Sequence, residues 1–115
     1  MHLESQPAYL EFVYTPTFER GAKHVLTEAN LRALEEVLVL DPRAGKVERG
    51  LGGARKIRVR RPGLGKRGGA RVIYHFSARK ARVYLLLAYA KSSQPVLTEN
   101  QRKTVRDLVA ELEGG

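Results

Sequence analysis

Three strand-like segments follow one another between residues 56 and 90, separated by two short connections. Residues 56–60 alternate basic and aliphatic side chains, residues 71–76 are rich in β-branched and aromatic side chains, and residues 82–90 are mostly apolar. The connection at 61–69 holds four glycines and a proline, and the one at 77–81 is short and polar. Neither is long enough for a helical crossover, so the sequence predicts an antiparallel meander.

A strand and two helices are predicted before the meander. Residues 9–14 are rich in aromatic and branched side chains, as in a first strand. Thr15-Pro16 predicts an N-cap with proline at the first helical position, and apolar spacing carries this helix to about Val25. Thr27 is the N-cap of a second helix. That helix ends at Asp41-Pro42, because a residue before proline disfavours helical geometry.

One helix is predicted after the meander. Thr98 and Gln101 form a capping box at its start. The predicted order is therefore β-α-α-β-β-β-α, a single α+β domain over residues 1–115 in which helices pack on a small antiparallel sheet. One face of that sheet is left to carry basic side chains. The apolar positions of the last helix recur at helical spacing: Val105, Leu108, Val109 and Leu112.

Composition excludes several classes of protein. The longest apolar run, residues 83–90, is far short of the about 20 residues that span a bilayer, so no membrane role is expected. No basic segment followed by an apolar one opens the chain, so we expect no secretory signal. The chain has no cysteine, which excludes disulfides, thiolate zinc sites and cysteine nucleophiles. A reducing, cytoplasmic setting fits these features.

Positive charge is concentrated in the middle of the chain. Residues 43–91 hold fifteen Lys or Arg and a single acid, Glu48, whereas the flanking residues carry a mild excess of acids. The net charge of +9 therefore comes from one segment. Such asymmetry is typical of proteins that bind polyanions, and nucleic acid is the first candidate.

Strand alternation predicts that many of these charges share one face of the sheet. Lys56, Arg58 and Arg60 alternate with core residues on the first strand of the meander, and Arg71 does so on the second. An ordinary solvated surface is the simpler interpretation, but surfaces usually mix the two signs of charge. We therefore favour a polyanion site. Its predicted members are Lys56, Arg58, Arg71, His75, Tyr89 and Lys91.

The predicted cluster lacks the residues of most hydrolytic sites. Glu48 has no acidic neighbour, and the three histidines have no ligand spacing, so we expect no metal and no cofactor. Lys and Arg can hold a phosphodiester and stabilise the charge that develops on it. A lysine crowded by arginines could act as a base. On RNA the nucleophile could be the substrate's own 2′-hydroxyl group.

The glycine-rich connection does not predict nucleotide binding. Residues 63–68 match G-x-G-x-x-G, but a strand follows where the dinucleotide-binding motif requires a helix. A P-loop is excluded because Ser or Thr does not follow Lys66. Lys66 and Arg67 could contact phosphates from a mobile connection, or have no role.

Four segments of the chain are informative in combination: residues 53–60 (GARKIRVR), 62–74 (PGLGKRGGARVIY), 84–91 (YLLLAYAK) and 97–101 (LTENQ). Taken together, they resemble the RelE superfamily, in its HigB-like branch. The resemblance covers nearly the whole chain. It implies the toxin of a type II toxin–antitoxin system, an endoribonuclease that cuts mRNA in the ribosomal A site by metal-free attack of the 2′-hydroxyl.

The resemblance also implies roles for single residues. Lys56 and Arg58 would act as base and phosphate ligand, and Arg71 would stabilise the phosphate. Relatives have an arginine and a tyrosine where this chain has Ser92 and Thr98. The general acid is therefore unassigned, with His75, Tyr89 and Lys91 as candidates. Further RNA or ribosome contacts are expected from Arg55, Arg60, Arg61, Lys66 and Arg67.

The partners that the resemblance implies are mRNA on the ribosome, with contacts to rRNA, and a cognate antitoxin of the helix-turn-helix type. An acidic antitoxin segment would suit the basic face. Two other functions remain open at this point. One is a ParE-like inhibitor of DNA gyrase, and the other is a non-catalytic module of the same fold that binds nucleic acid or the antitoxin.

Overall fold

The predicted meander forms the centre of the sheet. The computed structural model describes residues 9–61 and 69–114, so the connection at 61–69 lies outside the described residues except at its two ends. Within the described chain five strands form one sheet in the order β1-β5-β4-β3-β2. The strands are β1 (Glu11–Tyr14), β2 (Lys46–Val47), β3 (Arg55–Val59), β4 (Ala70–Ser77) and β5 (Arg82–Ala90).

The sheet is mixed: the predicted antiparallel arrangement holds for β2 to β5 but not for β1 at one edge. β1 runs parallel to β5, with Glu11 opposite Arg82 and an ion pair of 2.7 Å between their side chains. The reason is topological, because two helices follow β1 and carry the chain across one face of the sheet to its far edge. The two-residue strand β2, which pairs with β3, was too short to give a sequence signal.

Two helices cover one face of the sheet, as predicted. Helix α1 (Pro16–Val25) has Thr15 as its N-cap, and helix α2 (Glu28–Leu40) begins with a capping box between Thr27 and Asn30. Phe18 and Leu38 are fully buried in this layer. Gly21 of α1 faces β5 so closely that a Cβ there would overlap the carbonyl oxygen of Ala88. The sheet contributes Val59, Val72, Tyr74, Val83 and Leu85 to the same core.

The third helix, α3 (Glu99–Gly114), packs on the opposite face. Val105 and Val109 are buried against Leu51, Ile73 and Leu86, whereas Leu108 and Leu112 are only partly buried. The capping box between Thr98 and Gln101 is formed, with hydrogen bonds of 2.9 and 3.1 Å. The prediction that one face stays open for basic side chains is therefore wrong in part, because α3 covers that face at Ile73 and Leu86.

Helix α3 is also fixed to the turn between β2 and β3. Arg102 donates to the carbonyl of Arg49 at 2.7 Å, and Arg106 donates to that of Gly50 at 3.3 Å. Gly50 and Gly52 have φ of 75° and 70°, which glycine adopts without strain. In the part of the chain that the structure describes, no helix is long and apolar enough to cross a bilayer.

Candidate functional site

Three predicted site residues form one row across the sheet. Arg58 on β3 lies opposite Arg71 on β4, and Arg71 lies opposite Tyr89 on β5. Side chains of directly opposed residues have Cβ atoms about 5 Å apart and point to the same face. Lys56 is two residues from Arg58 on β3 and shares that face. We call Lys56, Arg58, Arg71 and Tyr89 the basic cluster.

Arg71 is the most unusual member of the basic cluster. Its side chain is buried, with 8% of the residue exposed. In residues 9–61 and 69–114 it has no carboxylate partner, and its hydrogen bond is a long one, 3.4 Å from Nη1 to the carbonyl of Ala70. A buried charge is costly unless it is paired. An anion placed beside this guanidinium would offset that cost.

Tyr89 supplies a hydroxyl group that keeps its proton at neutral pH. The residue is 6% exposed. Burial raises the pKa of Tyr89 above its ordinary value, the charge of Arg71 lowers it in part, and the charge of Glu48 raises it. A protonated phenol beside a cation can donate a proton to a leaving group.

Sequence reasoning missed Glu48. Its carboxylate Oε1 lies 3.5 Å from Nζ of Lys56, and its charge acts on Tyr89. The β2–β3 turn holds it there, since its backbone N–H donates to the carbonyl of Ala54 at 2.9 Å. A signal exists in the sequence, because Glu48 is the one acid among fifteen basic residues, but a single carboxylate does not predict a site of paired acids.

The structure does not bring His75 to the basic cluster. Along a strand, four residues separate His75 from Arg71, a distance of about 13 Å. Nε2 of His75 lies 2.6 Å from the carboxylate of Glu113 at the end of α3, and its ring stacks on Tyr84 with centroids 6.3 Å apart. Its Nδ1 is buried without a partner among the described residues. The geometry gives His75 a structural contact with α3, which corrects its predicted membership of the cluster.

Lys91 and Arg60 lie at the rim of the cluster. Lys91 is exposed directly after β5, and its backbone N–H donates to the carbonyl of Gly69 at 3.1 Å. Arg60 is exposed just beyond β3, on the side of the strand that carries Arg58. Both are placed where a long polyanion could contact them, and the catalytic role of Lys91 stays a prediction.

Two other predicted contacts point elsewhere, and two lie outside the described residues. Arg55 faces away from the cluster, and its Nη1 donates to the carbonyls of Gly45 at 2.8 Å and Arg43 at 3.2 Å. Arg61 donates to the carbonyl of Val25 at the end of α1. Arg55 therefore braces the turn after α2, and its contact with RNA stays a prediction. Lys66 and Arg67 lie in the segment that is not described.

The comparisons with known proteins agree with this fold. A family model described as the RelE toxin of the RelE/RelB toxin–antitoxin system matches residues 12–114. The chain belongs to the RelE toxin family. A solved structure of the E. coli toxin RelE, a double arginine mutant in the free state, is similar with a TM-score of 0.55 and 20% identity. The alignment covers 87% of this chain and 97% of that one, so the likeness shows a shared fold.

This RelE-family toxin departs from the pattern of its relatives at two positions, Thr98 and Ser92. Thr98 is the N-cap of α3, and its hydroxyl accepts from the backbone of Gln101. Ser92 is exposed just past β5. Neither replaces the acid or cation expected of relatives at these places. Within residues 9–61 and 69–114, no three His, Asp or Glu side chains are grouped as metal ligands. The HigB-like branch stays a prediction.

Proposed function

We propose that this RelE-family toxin is a ribosome-dependent endoribonuclease that cleaves translated mRNA in the ribosomal A site. The observation that carries the proposal is Arg71, a buried guanidinium without an anionic partner in the described chain. Arg58 stands opposite it on the next strand. Two guanidinium groups side by side match the oxygens of one phosphodiester, which would relieve their mutual repulsion.

The reaction follows from the placement of the groups. The 2′-hydroxyl of the substrate attacks the adjacent phosphorus and transfers its proton to the Lys56–Glu48 pair. Arg58 and Arg71 stabilise the negative charge that grows on the phosphorane oxygens. The bond from phosphorus to the 5′-oxygen breaks, and Tyr89 donates its proton to that oxygen. The products are a 2′,3′-cyclic phosphate and a 5′-hydroxyl end.

The basic rim supports the proposed dependence on the ribosome. Lys91 and Arg60 extend the positive surface beyond the cluster, as contacts to rRNA phosphates require. Inside the A site the ribosome would hold the mRNA in the bent geometry that in-line attack needs, so the protein need not bind naked RNA tightly. This substrate places the activity in the cytoplasm.

The same surface suits the antitoxin. We propose that an acidic segment of a helix-turn-helix antitoxin covers the basic cluster and pairs with Arg71 in place of the phosphate. Inhibition is then direct competition for one buried cation.

Primer extension on a defined mRNA tests the proposed function. Programmed ribosomes and naked RNA are compared with and without the purified toxin, free of antitoxin. Cuts confined to A-site codons, and only on ribosomes, support the proposal. Absence of cuts from folded protein contradicts it, and inhibition of gyrase supercoiling by the same sample would then favour the ParE-like alternative.

A further inference from the structure

Glu48 brings a negative charge into a site built for phosphate. Among the residues that the structure describes, it is the carboxylate that forms an ion pair with a member of the basic cluster, at 3.5 Å from Lys56. Its side chain is 27% exposed, and the ion pair keeps its carboxylate beside the cluster. A carboxylate at this place repels the phosphate that Arg58 and Arg71 attract.

Holding Lys56 in place does not require that charge. An amide at the same position would accept a hydrogen bond from Lys56 without repelling RNA. A function that needs a proton acceptor does require a carboxylate. Lys56 is an acceptor only after losing its own proton, whereas an ionised carboxylate is an acceptor as it stands.

We propose that Glu48, not Lys56, is the general base that removes the proton of the 2′-hydroxyl. The inference rests on the proposed nuclease function. The 2′-oxygen bonds to phosphorus as its proton passes to the Glu48 carboxylate, and the bond to the 5′-oxygen breaks as that oxygen takes the proton of Tyr89. No co-reactant is needed.

The ion pair gives Lys56 a role in the same step. When Glu48 takes up the proton it becomes neutral, and the ammonium of Lys56 loses its counter-ion. At that moment negative charge is growing on the phosphorane oxygens, which Lys56 is then free to bind. The interaction between Lys56 and the phosphate is thus stronger in the transition state than in the complex with bound substrate. That difference is the condition for catalysis.

The fold holds Glu48 firmly enough for this role. Its backbone is tied to Ala54, and the turn that follows is fixed by Arg102 and Arg106 of α3. Leu51 of the same turn is fully buried under that helix. A proton acceptor must lie within about 3 Å of the hydroxyl that it serves, and a braced turn provides such precision.

Single-turnover cleavage on programmed ribosomes tests the inference with two variants and a control. E48Q keeps a hydrogen-bond acceptor for Lys56 but cannot take the proton, E48A removes both, and E36Q makes the same change on the exposed surface of α2. We expect E48Q and E48A to be equally slow, by about 10²–10⁴-fold, while E36Q matches wild type. Ribosome binding by both Glu48 variants should be unchanged or tighter.

Cleavage by E48Q within about threefold of wild type, with E48A slow, would show that Glu48 only positions Lys56, and would overturn the inference. Absence of cleavage by the wild type would instead overturn the proposed function, and the role of Glu48 with it. Thermal unfolding of each variant shows that it is folded.

A modified substrate separates the base from the acid. An mRNA with sulfur in place of the 5′-bridging oxygen has a leaving group that needs no proton. Such a substrate should restore cleavage by Tyr89→Phe and leave E48Q as slow as before. Restoration of E48Q to the wild-type rate would place Glu48 on the leaving group and contradict its role as base.

Discussion

Replacing Arg71 with methionine should inactivate the toxin without destabilising it. Methionine keeps an unbranched apolar stem of similar length but carries no charge. Arg71 and Arg58 are opposed across β3 and β4. Two positive charges about 6 Å apart repel by roughly 0.7 kcal/mol in water and about 2.8 kcal/mol at an effective dielectric constant of 20. Because Arg58 is exposed, the lower part of that range applies, about 1 kcal/mol.

The expected stability change follows from these terms. Arg71→Met removes the repulsion and the cost of burying a guanidinium, so the free energy of unfolding should stay level or rise by about 1 kcal/mol. For a chain of this size that rise corresponds to a melting temperature higher by roughly 4 °C. Urea denaturation of the free toxin measures it directly.

The expected loss of activity is much larger. Removal of one charged donor from a developing oxyanion typically costs about 3–4 kcal/mol, or 10²–10³-fold in the rate of the chemical step. Arg71→Lys keeps the charge but not the paired donors of the guanidinium, so it should recover only part of the rate. Cleavage by Arg71→Met at the wild-type rate, or a drop of several kcal/mol in its stability, would refute the reasoning.

Four further outcomes are expected. Tyr89→Phe should slow single-turnover cleavage by about 10²-fold or more. In the wild type the raised pKa of Tyr89 keeps the phenol protonated. The rate of cleavage should therefore fall only once the pH passes that raised value. Val105→Ala should lower the free energy of unfolding in urea by about 2–3 kcal/mol, because it removes two methyl groups from a fully buried site. The hydrogen bond from His75 lowers the pKa of Glu113. The stabilisation that this pair gives the folded protein is therefore complete above the ordinary carboxyl pKa and is lost as pH falls through the lowered value. The melting temperature of Glu113→Gln should therefore fall less than that of the wild type as the solution is made acidic. Ribosome affinity measured by filter binding should fall linearly on logarithmic axes with salt, and a flat line would argue against phosphate contacts.

Local signals in the sequence were enough to predict most of the fold. Strand β5 has the bounds that its apolar run indicates, and Thr15, Thr27 and Thr98 all cap the helices predicted to follow them. These features depend on neighbouring residues alone. Alternation places Arg58 and Arg71 on one face of the meander, but it does not predict the whole row, because a register shift between Ile73 and Tyr74 sets Tyr89 opposite Arg71.

What the sequence did not reveal depends on contacts between distant segments. His75 alternates correctly with Arg71, but only the packing of α3 shows that Glu113 covers it. Arg55 and Lys56 are adjacent and both cationic, yet one braces a turn and the other faces the site. The position of Glu48 depends on a two-residue strand and a glycine turn, neither of which has a pattern long enough to detect.

The place of β1 beside β5 affects how this toxin is made. The first strand of the chain has its partner about seventy residues later, so the sheet cannot be completed until the last strand has been synthesised. Contacts between such distant segments form late in folding. The row that ends in Tyr89 likewise requires β5. Under the proposed function, a ribosome translating this toxin finishes most of the chain before an active nuclease exists. The folded enzyme is therefore complete too late to cut its own message ahead of that ribosome.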